Sequence, residues 1–198
     1  MPRVSREQSE HNRREIERVS SELFRAHGIG QVSVNDLMAA AGLTHGGFYG
    51  HFESKDALAA KVCSDAFDAA VAKWHERVER HSDHPAAAFK LIVDGYLSER
   101  ARDNPGTACP ATTLASDVTW AAPQAPVRRS FVDGMKGLLD ELERVVPAAS
   151  RDQALVAMAT LVGAQMLARA CRGDALADDF LAAARDGLNG VGAPAVRN

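Results

Sequence analysis

The chain has 198 residues, which suits one or two domains, and its 46% hydrophobic share is ample for a core. Aromatic residues make up only 6%, alanine is abundant, and nothing alternates apolar and polar residues for long, so we expect an all-α fold. The net charge of −3 does not by itself indicate a nucleic-acid partner. No leading apolar segment and no membrane-length run is evident, which predicts a cytoplasmic protein without a membrane partner.

Cysteine usage and missing motifs exclude further classes. Cys63, Cys109 and Cys171 lie far apart without a C-x-x-C pair, which argues against a disulfide framework and a structural zinc site. Neither a P-loop, a dinucleotide fingerprint, H-E-x-x-H nor G-x-S-x-G is present, and the carboxylates are scattered. We therefore expect no enzyme, no cofactor and no bound metal.

The N-terminal region predicts one long helix over residues 6–27, with an apolar stripe that includes Ile16 and Phe24, ended by Gly28. Residues 1–60 carry seven basic and eight acidic side chains, so any positive face must be local. The basic residues that cluster at this edge are Arg3, Arg6, Arg13 and Arg14.

The next stretch, residues 33–58, predicts two very short helices joined by a tight turn and followed by a long helix. Ser33 with Asp36 three residues later has the capping-box pattern, and Gly42 stands where the first short helix must stop. Thr44 is in position to cap the second, over residues 45–51. This is the spacing of a helix-turn-helix, whose second helix enters the DNA major groove.

The second short helix favours close approach to another surface. Gly46 and Gly47 cost helix stability, roughly 1 kcal/mol each, but let the backbone come near a partner. Tyr49 points away from the apolar face that contains Phe48, and Lys55 adds a positive charge at a helix N-terminus, where anions bind.

The stretch resembles the DNA-binding domain of the TetR family of transcriptional regulators, over about the first sixty residues. The resemblance rests on Ile16, Leu23, Phe24, Gly28, Val34, Ala41, Gly42, Leu43, Thr44, Gly46, Phe48, Tyr49, His51, Phe52, Ser54, Lys55 and Leu58. His45 departs from the Lys or Arg common in the family, which concerns base preference. The resemblance implies DNA contacts by Ser33, Thr44, His45, Gly46, Tyr49, His51 and Lys55.

We predict about nine helices in two domains, a DNA-binding domain over 1–53 and an effector-binding and dimerisation domain over 54–198. A long fourth helix, from about 54 to 80, crosses this boundary without a linker. The further segments predicted are a helix over 85–102, an irregular helix over 107–119, a loop over 120–126, and helices over 126–146, over 153–172 and from 176 onwards.

The second domain offers candidates for a small-molecule site. Aromatic and methionine residues at helical spacing usually belong to a core, but the resemblance raises the expectation that some line a cavity. The candidates are Phe89, Tyr96, Cys109, Trp120, Phe131 and Met166. The segment around Cys109 partly resembles a cysteine-containing helix of family members that sense oxidants or electrophiles, so a thiol sensor is an alternative to a buried, inert thiol.

The helix over 153–172 is apolar almost all round, so the last two helices predict a homodimer interface. A two-fold dimer would present two recognition helices to a palindromic site. We therefore expect a ligand-released repressor acting on an operator in double-stranded DNA. The alternatives are a regulator switched by Cys109 and a DNA-binding protein without an effector.

Overall fold

The structure, a computed structural model, describes residues 5–147 and 149–190. Over these residues the chain forms ten α-helices and two short 3₁₀ helices and contains no β-strand, which confirms the all-α prediction. The α-helices are α1 (Arg6–His27), α2 (Val34–Ala40), α3 (Lys55–Arg80), α4 (Pro85–Tyr96), α5 (Glu99–Asp103), α6 (Pro110–Thr113), α7 (Ala115–Trp120), α8 (Pro126–Glu143), α9 (Arg151–Ala170) and α10 (Leu176–Gly190); the 3₁₀ helices are His45–Gly50 and Pro105–Thr107.

The chain divides into two compact units. The first unit combines Met1–Asp68 with Pro105–Gly134, and the second combines Ala69–Asn104 with Met135–Asn198, in their described parts. Helices α3 and α8 therefore each contribute residues to both units. This division into compact units does not test the predicted functional domains, a DNA-binding domain over 1–53 and an effector-binding and dimerisation domain over 54–198, which stay a prediction.

In the first unit, α1 has the predicted bounds and buries Ile16, Val19 and Phe24. Ser5 caps its start by accepting a hydrogen bond from the Gln8 amide at 3.1 Å. Gly28 ends it with φ of +90°, a conformation that residues with a side chain rarely adopt. The helix packs against α2, α6 and the 3₁₀ helix Pro105–Thr107.

The helix predicted over 85–102 is instead broken, which is a correction. It ends at Tyr96 and resumes at Glu99, where Ser98 caps the new helix by accepting from the Ala101 amide at 3.2 Å. The carbonyl groups freed by the break receive side-chain donors from α9 and α10: Gln165 donates to Tyr96 at 2.6 Å and Arg185 to Leu97 at 2.6 Å. These partners satisfy buried backbone acceptors and so allow the break.

The segment predicted as one irregular helix over 107–119 is three short pieces: Pro105–Thr107, α6 and α7. Pro110 stands at the first position of α6, where its missing N–H costs nothing, and it excludes a continuous helix through Cys109. Helix α8 ends at Glu143, three residues before the predicted end.

In the second unit, α9 and α10 pack against each other and both pack against α4. Ala154, Met158, Leu161, Ala164 and Ala168 form the buried face of α9. Its opposite face exposes four large apolar side chains: Leu155, Val156, Met166 and Leu167. Exposed Leu176 opens α10.

Candidate nucleic-acid interface

Helix α2, the first helix of the helix-turn-helix, is fixed at its start by local hydrogen bonds and at its end by a glycine. The capping box at α2 is confirmed: the Ser33 hydroxyl accepts from the Asp36 amide at 3.2 Å, and Asp36 Oδ2 accepts from the Ser33 amide at 2.8 Å. Asp36 Oδ2 also accepts from the Ser33 hydroxyl at 2.6 Å, and these hydrogen bonds lower the pKa of Asp36 below its ordinary value. Gly42 leaves α2 with φ of +68°, as predicted for a helix stop.

The predicted second helix is present as the 3₁₀ helix His45–Gly50. Three glycines in six residues give it little α-helical propensity. Thr44 stands at its N-cap, but its side chain accepts no capping hydrogen bond, which corrects that prediction. The reason is that the Gly47 amide already donates to the Thr44 carbonyl, at 3.0 Å. The Thr44 hydroxyl is therefore not used as a cap.

The inner face of this 3₁₀ helix is anchored by aromatic packing. Phe48 is fully buried, and its ring centroid lies 5.7 Å from that of Phe52. A Cβ on Gly47 would meet Met38 Cε of α2 at 3.5 Å, an ordinary contact. Packing on this side leaves the opposite face of the 3₁₀ helix free for a partner.

The outer face carries most of the predicted contact residues. Tyr49 is 66% exposed, although its ring packs edge-on against Phe48 with centroids 5.3 Å apart. Ser33, Thr44, His45 and Gly46 are exposed, while His51 is half-buried. The structure thus brings Thr44 to Tyr49 together in one short, accessible segment, with Ser33 at the start of α2.

The start of α3 adds an anion-binding feature beside this segment. Ser54 accepts from the Ala57 amide at 3.0 Å and so caps the helix. The half-buried Lys55 lies with its ammonium 6.0 Å from the Phe24 ring centroid, which holds the side chain against α1. A helix N-terminus with an adjacent ammonium group favours a phosphate ligand.

The arginines of α1 contribute less positive charge than the sequence suggests. Arg6 pairs with Glu10, Arg13 with Glu17, and Arg18 with both Glu15 and Glu22, all within the same helix. Arg13 also lies over the Phe52 ring, 5.0 Å from its centroid. Arg14 donates from Nε to the Glu10 carbonyl at 3.3 Å, and Arg3 lies outside the described residues.

Two residues that support this surface were missed by the sequence analysis. Arg25 donates to the Ala108 carbonyl at 3.1 Å, and burial lowers the pKa of its guanidinium. Asp117 of α7 accepts from the Ile29 amide at 2.7 Å. Each contact joins residues more than eighty positions apart, so no local sequence pattern predicts it.

The predicted effector residues are divided between the two units. Cys109, Trp120 and Phe131 belong to the first, and the remaining three, Phe89, Tyr96 and Met166, to the second. Phe131 packs edge-on against Phe67 with ring centroids 5.2 Å apart, and Tyr96 packs against Trp74 at 6.1 Å. Phe89 and Tyr96 are buried, whereas Trp120 is 86% exposed and Met166 is 39% exposed. Their role as an effector site stays a prediction.

The three cysteines differ in environment. Cys63 is fully buried, and its desolvation raises the pKa of the thiol to about 12. Cys109 is half-buried at the N-cap of α6, and Cys171 is half-buried at the C-cap of α9 rather than inside a helix. Within the part of the chain that the structure describes, no group of three or more His, Cys, Asp or Glu residues is arranged to hold a metal ion.

Among the described residues, α9 is long and apolar enough, by length and composition, to cross a membrane. The sequence analysis expected no segment to reach that threshold, and alanine and leucine together bring α9 to it. A core helix of a soluble protein passes the same criterion of length and composition.

Comparison with known proteins agrees with this geometry. Residues 17–62 match the model of the family described as bacterial regulatory proteins, tetR family. The HTH-type transcriptional repressor KstR2 of Rhodococcus jostii (strain RHA1) is 29% identical over 84 residues, which are 42% of this chain and 41% of that repressor. The match therefore spans about two fifths of the length of that relative.

Solved structures share the fold over nearly the whole chain. A TetR-family transcriptional regulator from Agrobacterium tumefaciens has a TM-score of 0.77 at 22% identity, covering 91% of this chain and 98% of that one. The regulator FadR of Bacillus subtilis, solved in complex with stearoyl-CoA, has a TM-score of 0.63 at 15% identity, covering 91% and 99%. At these identities the likeness is one of fold. The matched helix-turn-helix over residues 17–62 is therefore that of the TetR family of transcriptional regulators, and the chain as a whole shares the fold of solved members of that family.

Proposed function

We propose that the protein is a homodimeric repressor that binds a palindromic operator in double-stranded DNA and is released from it by a small-molecule effector. The observation that carries the proposal is the exposed face of residues 44–49, anchored from behind by buried Phe48. A rigid, exposed segment with close backbone approach is what readout in a major groove requires. Repression is supported by the relative from Rhodococcus jostii, which is named a repressor.

In this proposal the contacts have different tasks. Thr44, Tyr49 and Lys55 bind phosphates and fix the register on the duplex, while His45 faces the base edges. Ser33 and His51 flank the segment. Because the Thr44 hydroxyl does not cap the 3₁₀ helix, it can form a hydrogen bond to a phosphate.

The test is binding of the purified protein to the intergenic DNA beside its own gene, measured by fluorescence anisotropy with random DNA as competitor. Specific binding by the wild type is expected, with a loss of about fivefold to 150-fold in Tyr49→Ala, since one contact to DNA is worth roughly 1–3 kcal/mol. Leu91→Ala, which alters an exposed side chain of α4, is the control. Equal affinity for competitor and intergenic DNA would contradict an operator at that site.

The homodimer is proposed through the exposed apolar face of α9 and α10, which comprises Leu155, Val156, Met166, Leu167 and Leu176. These side chains are between 39% and 65% exposed and follow one side of α9 at helical spacing. A continuous apolar face of this kind usually marks an interface. A two-fold axis at this face would pair α9 and α10 with their copies.

Sedimentation equilibrium tests the interface. Wild type is expected to be a dimer, and Val156→Glu combined with Leu167→Glu is expected to be a monomer, because four buried like charges cannot be paired across the axis. Leu91→Glu places the same charge on another exposed leucine of the second unit and should leave the dimer intact. A dimeric double variant would exclude this face.

The effector is proposed to be a largely apolar molecule held near Phe89 and Tyr96 in the second unit. Both side chains are buried, and Gln165, which is 1% exposed, has an Oε1 without a hydrogen-bond partner beside the Tyr96 backbone. Both amide protons of Gln165 point to the carbonyls of Tyr96 and Ser98, so Oε1 remains as an acceptor. The regulator FadR of Bacillus subtilis, which shares this fold and was solved in complex with stearoyl-CoA, is a precedent for an acyl-CoA ligand.

A thermal-shift screen tests this part. Acyl-CoA esters and free fatty acids are the first probes, and a hit is expected both to raise the Tm and to weaken operator binding. A ligand that raises the Tm without affecting DNA would contradict its role as effector. A chain that responds to none would favour the alternative of an effector-independent DNA-binding protein.

A second candidate is a regulator switched at Cys109, and one observation favours it. The Arg25 guanidinium donates to the carbonyl of the preceding residue, Ala108, and interacts electrostatically with the Cys109 thiol. A nearby cation stabilises a thiolate, the form that reacts with electrophiles. If the wild type loses operator binding after mild electrophile treatment and the Cys109→Ser variant keeps it, the switch is established. Unchanged operator binding after treatment would leave a non-covalent effector as the release signal.

With either kind of effector we expect the protein in the cytoplasm, where its DNA is.

A further inference from the structure

The segment Pro105–Trp120 lies against α1 although more than seventy residues separate the two in sequence. A Cβ on Gly106 would lie 3.2 Å from the Glu22 carbonyl oxygen, so the backbone approaches α1 closely. Arg25 of α1 extends this contact through its hydrogen bond to the Ala108 carbonyl. The segment is therefore part of the same compact unit as the helix-turn-helix.

Within this segment, Asp117 makes the most specific contact. Its Oδ1 accepts from the Ile29 amide at 2.7 Å and lies 3.4 Å from the Gly30 amide nitrogen. Its carboxylate also lies over Gly28, where a Cβ would meet Oδ1 at 3.1 Å. A half-buried carboxylate that accepts a backbone N–H makes a strong, charge-assisted hydrogen bond.

The bonded amides belong to the turn that sets the direction of α2. Ile29 and Gly30 follow the last residues of α1, and α2 begins at Val34. Helix α2 in turn packs against the 3₁₀ helix His45–Gly50, whose outer face carries Tyr49. A change in the turn would thus alter the orientation of the residues proposed to contact DNA.

Charge makes the position of Asp117 informative. A carboxylate in a DNA-binding unit opposes binding through its charge, since DNA carries a dense array of phosphates. The contacts that account for Asp117 at this position are its hydrogen bonds to the turn.

We propose that Asp117 is a positioning residue for operator binding, which holds the α1–α2 turn from α7 and so orients the helix-turn-helix. The inference rests on the proposed function of operator binding. It requires no contact between Asp117 and DNA.

Three variants test it by operator affinity in fluorescence anisotropy. Asp117→Ala removes the acceptor and is expected to weaken operator binding about tenfold, the equivalent of one hydrogen bond to a charged group. Asp117→Asn keeps an acceptor oxygen and loses the charge, so its affinity is expected within about threefold of wild type. Asp83→Ala, at an exposed position in the turn before α4, is the control for loss of one negative charge.

The sign of the effect separates the proposal from general electrostatics. Loss of a negative charge alone would tighten binding, as Asp83→Ala is expected to show slightly. Equal or tighter binding by a folded Asp117→Ala would overturn the proposal. Equal weakening by Asp117→Asn and Asp117→Ala would also overturn it, because Asp117→Asn keeps the acceptor oxygen and the weakening could then not come from its loss.

A measurement on the wild type keeps the proposal testable if Asp117→Ala does not fold. Amide hydrogen exchange of the Ile29 N–H is expected to be slowed at least tenfold relative to an open amide. Exchange of Ile29 at the unprotected rate would overturn the contact itself. Wild type that fails to bind the intergenic DNA would instead overturn the proposed operator, and the exchange measurement would still decide the role of Asp117 in the turn.

Discussion

A methyl group built on Gly134 of α8 would lie 2.1 Å from Cγ of Phe67 in α3. No real Cβ occupies such a position, so the two helices approach as closely as they do because residue 134 has no side chain. Phe67 is itself almost fully buried and packs edge-on against Phe131, so its ring cannot move aside for a larger residue at position 134.

Gly134→Ala is therefore expected to lower the free energy of unfolding by about 1–3 kcal/mol, the usual cost of overpacking a core. Urea denaturation followed by circular dichroism measures it. Gly187→Ala in α10, where a Cβ meets nothing within 4 Å, is the matched control and should be neutral or stabilising by up to about 1 kcal/mol. Equal stability of the two variants would show that α3 and α8 move apart easily.

Lys55→Ala is expected to weaken binding to operator and random DNA alike, because the proposed contact of its ammonium is to a phosphate, which is the same in every sequence. The slope of log affinity against log salt should fall by roughly 1, the signature of one lost phosphate contact. Lys73→Ala, an exposed lysine further along the same helix, is the control. An unchanged slope would assign Lys55 to packing against Phe24 alone.

Asp36 predicts a pH dependence of stability. Its pKa lies below the ordinary 3.8 because Ser33 donates from both hydroxyl and amide to its carboxylate. The stabilisation is thus present above that ordinary value and is lost as pH falls through it towards the lower pKa of the folded state. The stability difference between wild type and Asp36→Asn should shrink from pH 7 to pH 3 in urea titrations. Asp83→Asn serves as control, and a difference that grows on acidification would contradict the assignment.

The thiols are expected to react at different rates. Cys63 is buried and its pKa is raised to about 12, so it should remain unmodified by a thiol-specific reagent at pH 8 in the native state. Half-buried Cys109 and Cys171 should react first. Counting modified thiols by mass spectrometry before and after denaturation tests this, with Cys63→Ser as the control that loses only the slow site. Rapid labelling of Cys63 would indicate opening of α3.

Sequence reasoning succeeded where structure depends on neighbours in the chain. The bounds of α1 and the capping box at Ser33 follow from side chains within four residues of each other, and both are confirmed. It failed at the break after Tyr96, because the apolar spacing continues through Leu97. The break is satisfied by Gln165 and Arg185, which lie 69 and 88 residues away.

The candidate site shows the same division. Exposed Tyr49 and buried Phe48 could be assigned from their spacing, since each side of a short helix has its own role. Asp117 could not, because an aspartate in a short polar helix has no signal that distinguishes a backbone acceptor from a solvated carboxylate. The six predicted effector residues likewise fall into two units that helical periodicity alone does not separate.

The ion pairs along α1 have a consequence for how the protein would search a genome. Arg6, Arg13 and Arg18 each form an ion pair within their own helix, so few cations of α1 remain to bind the phosphates of DNA of any sequence. Sequence-independent affinity comes almost wholly from such cations. A regulator built this way would dwell only briefly at each random site, and the genome would sequester few of its molecules. Low copy number would then suffice to keep one operator occupied.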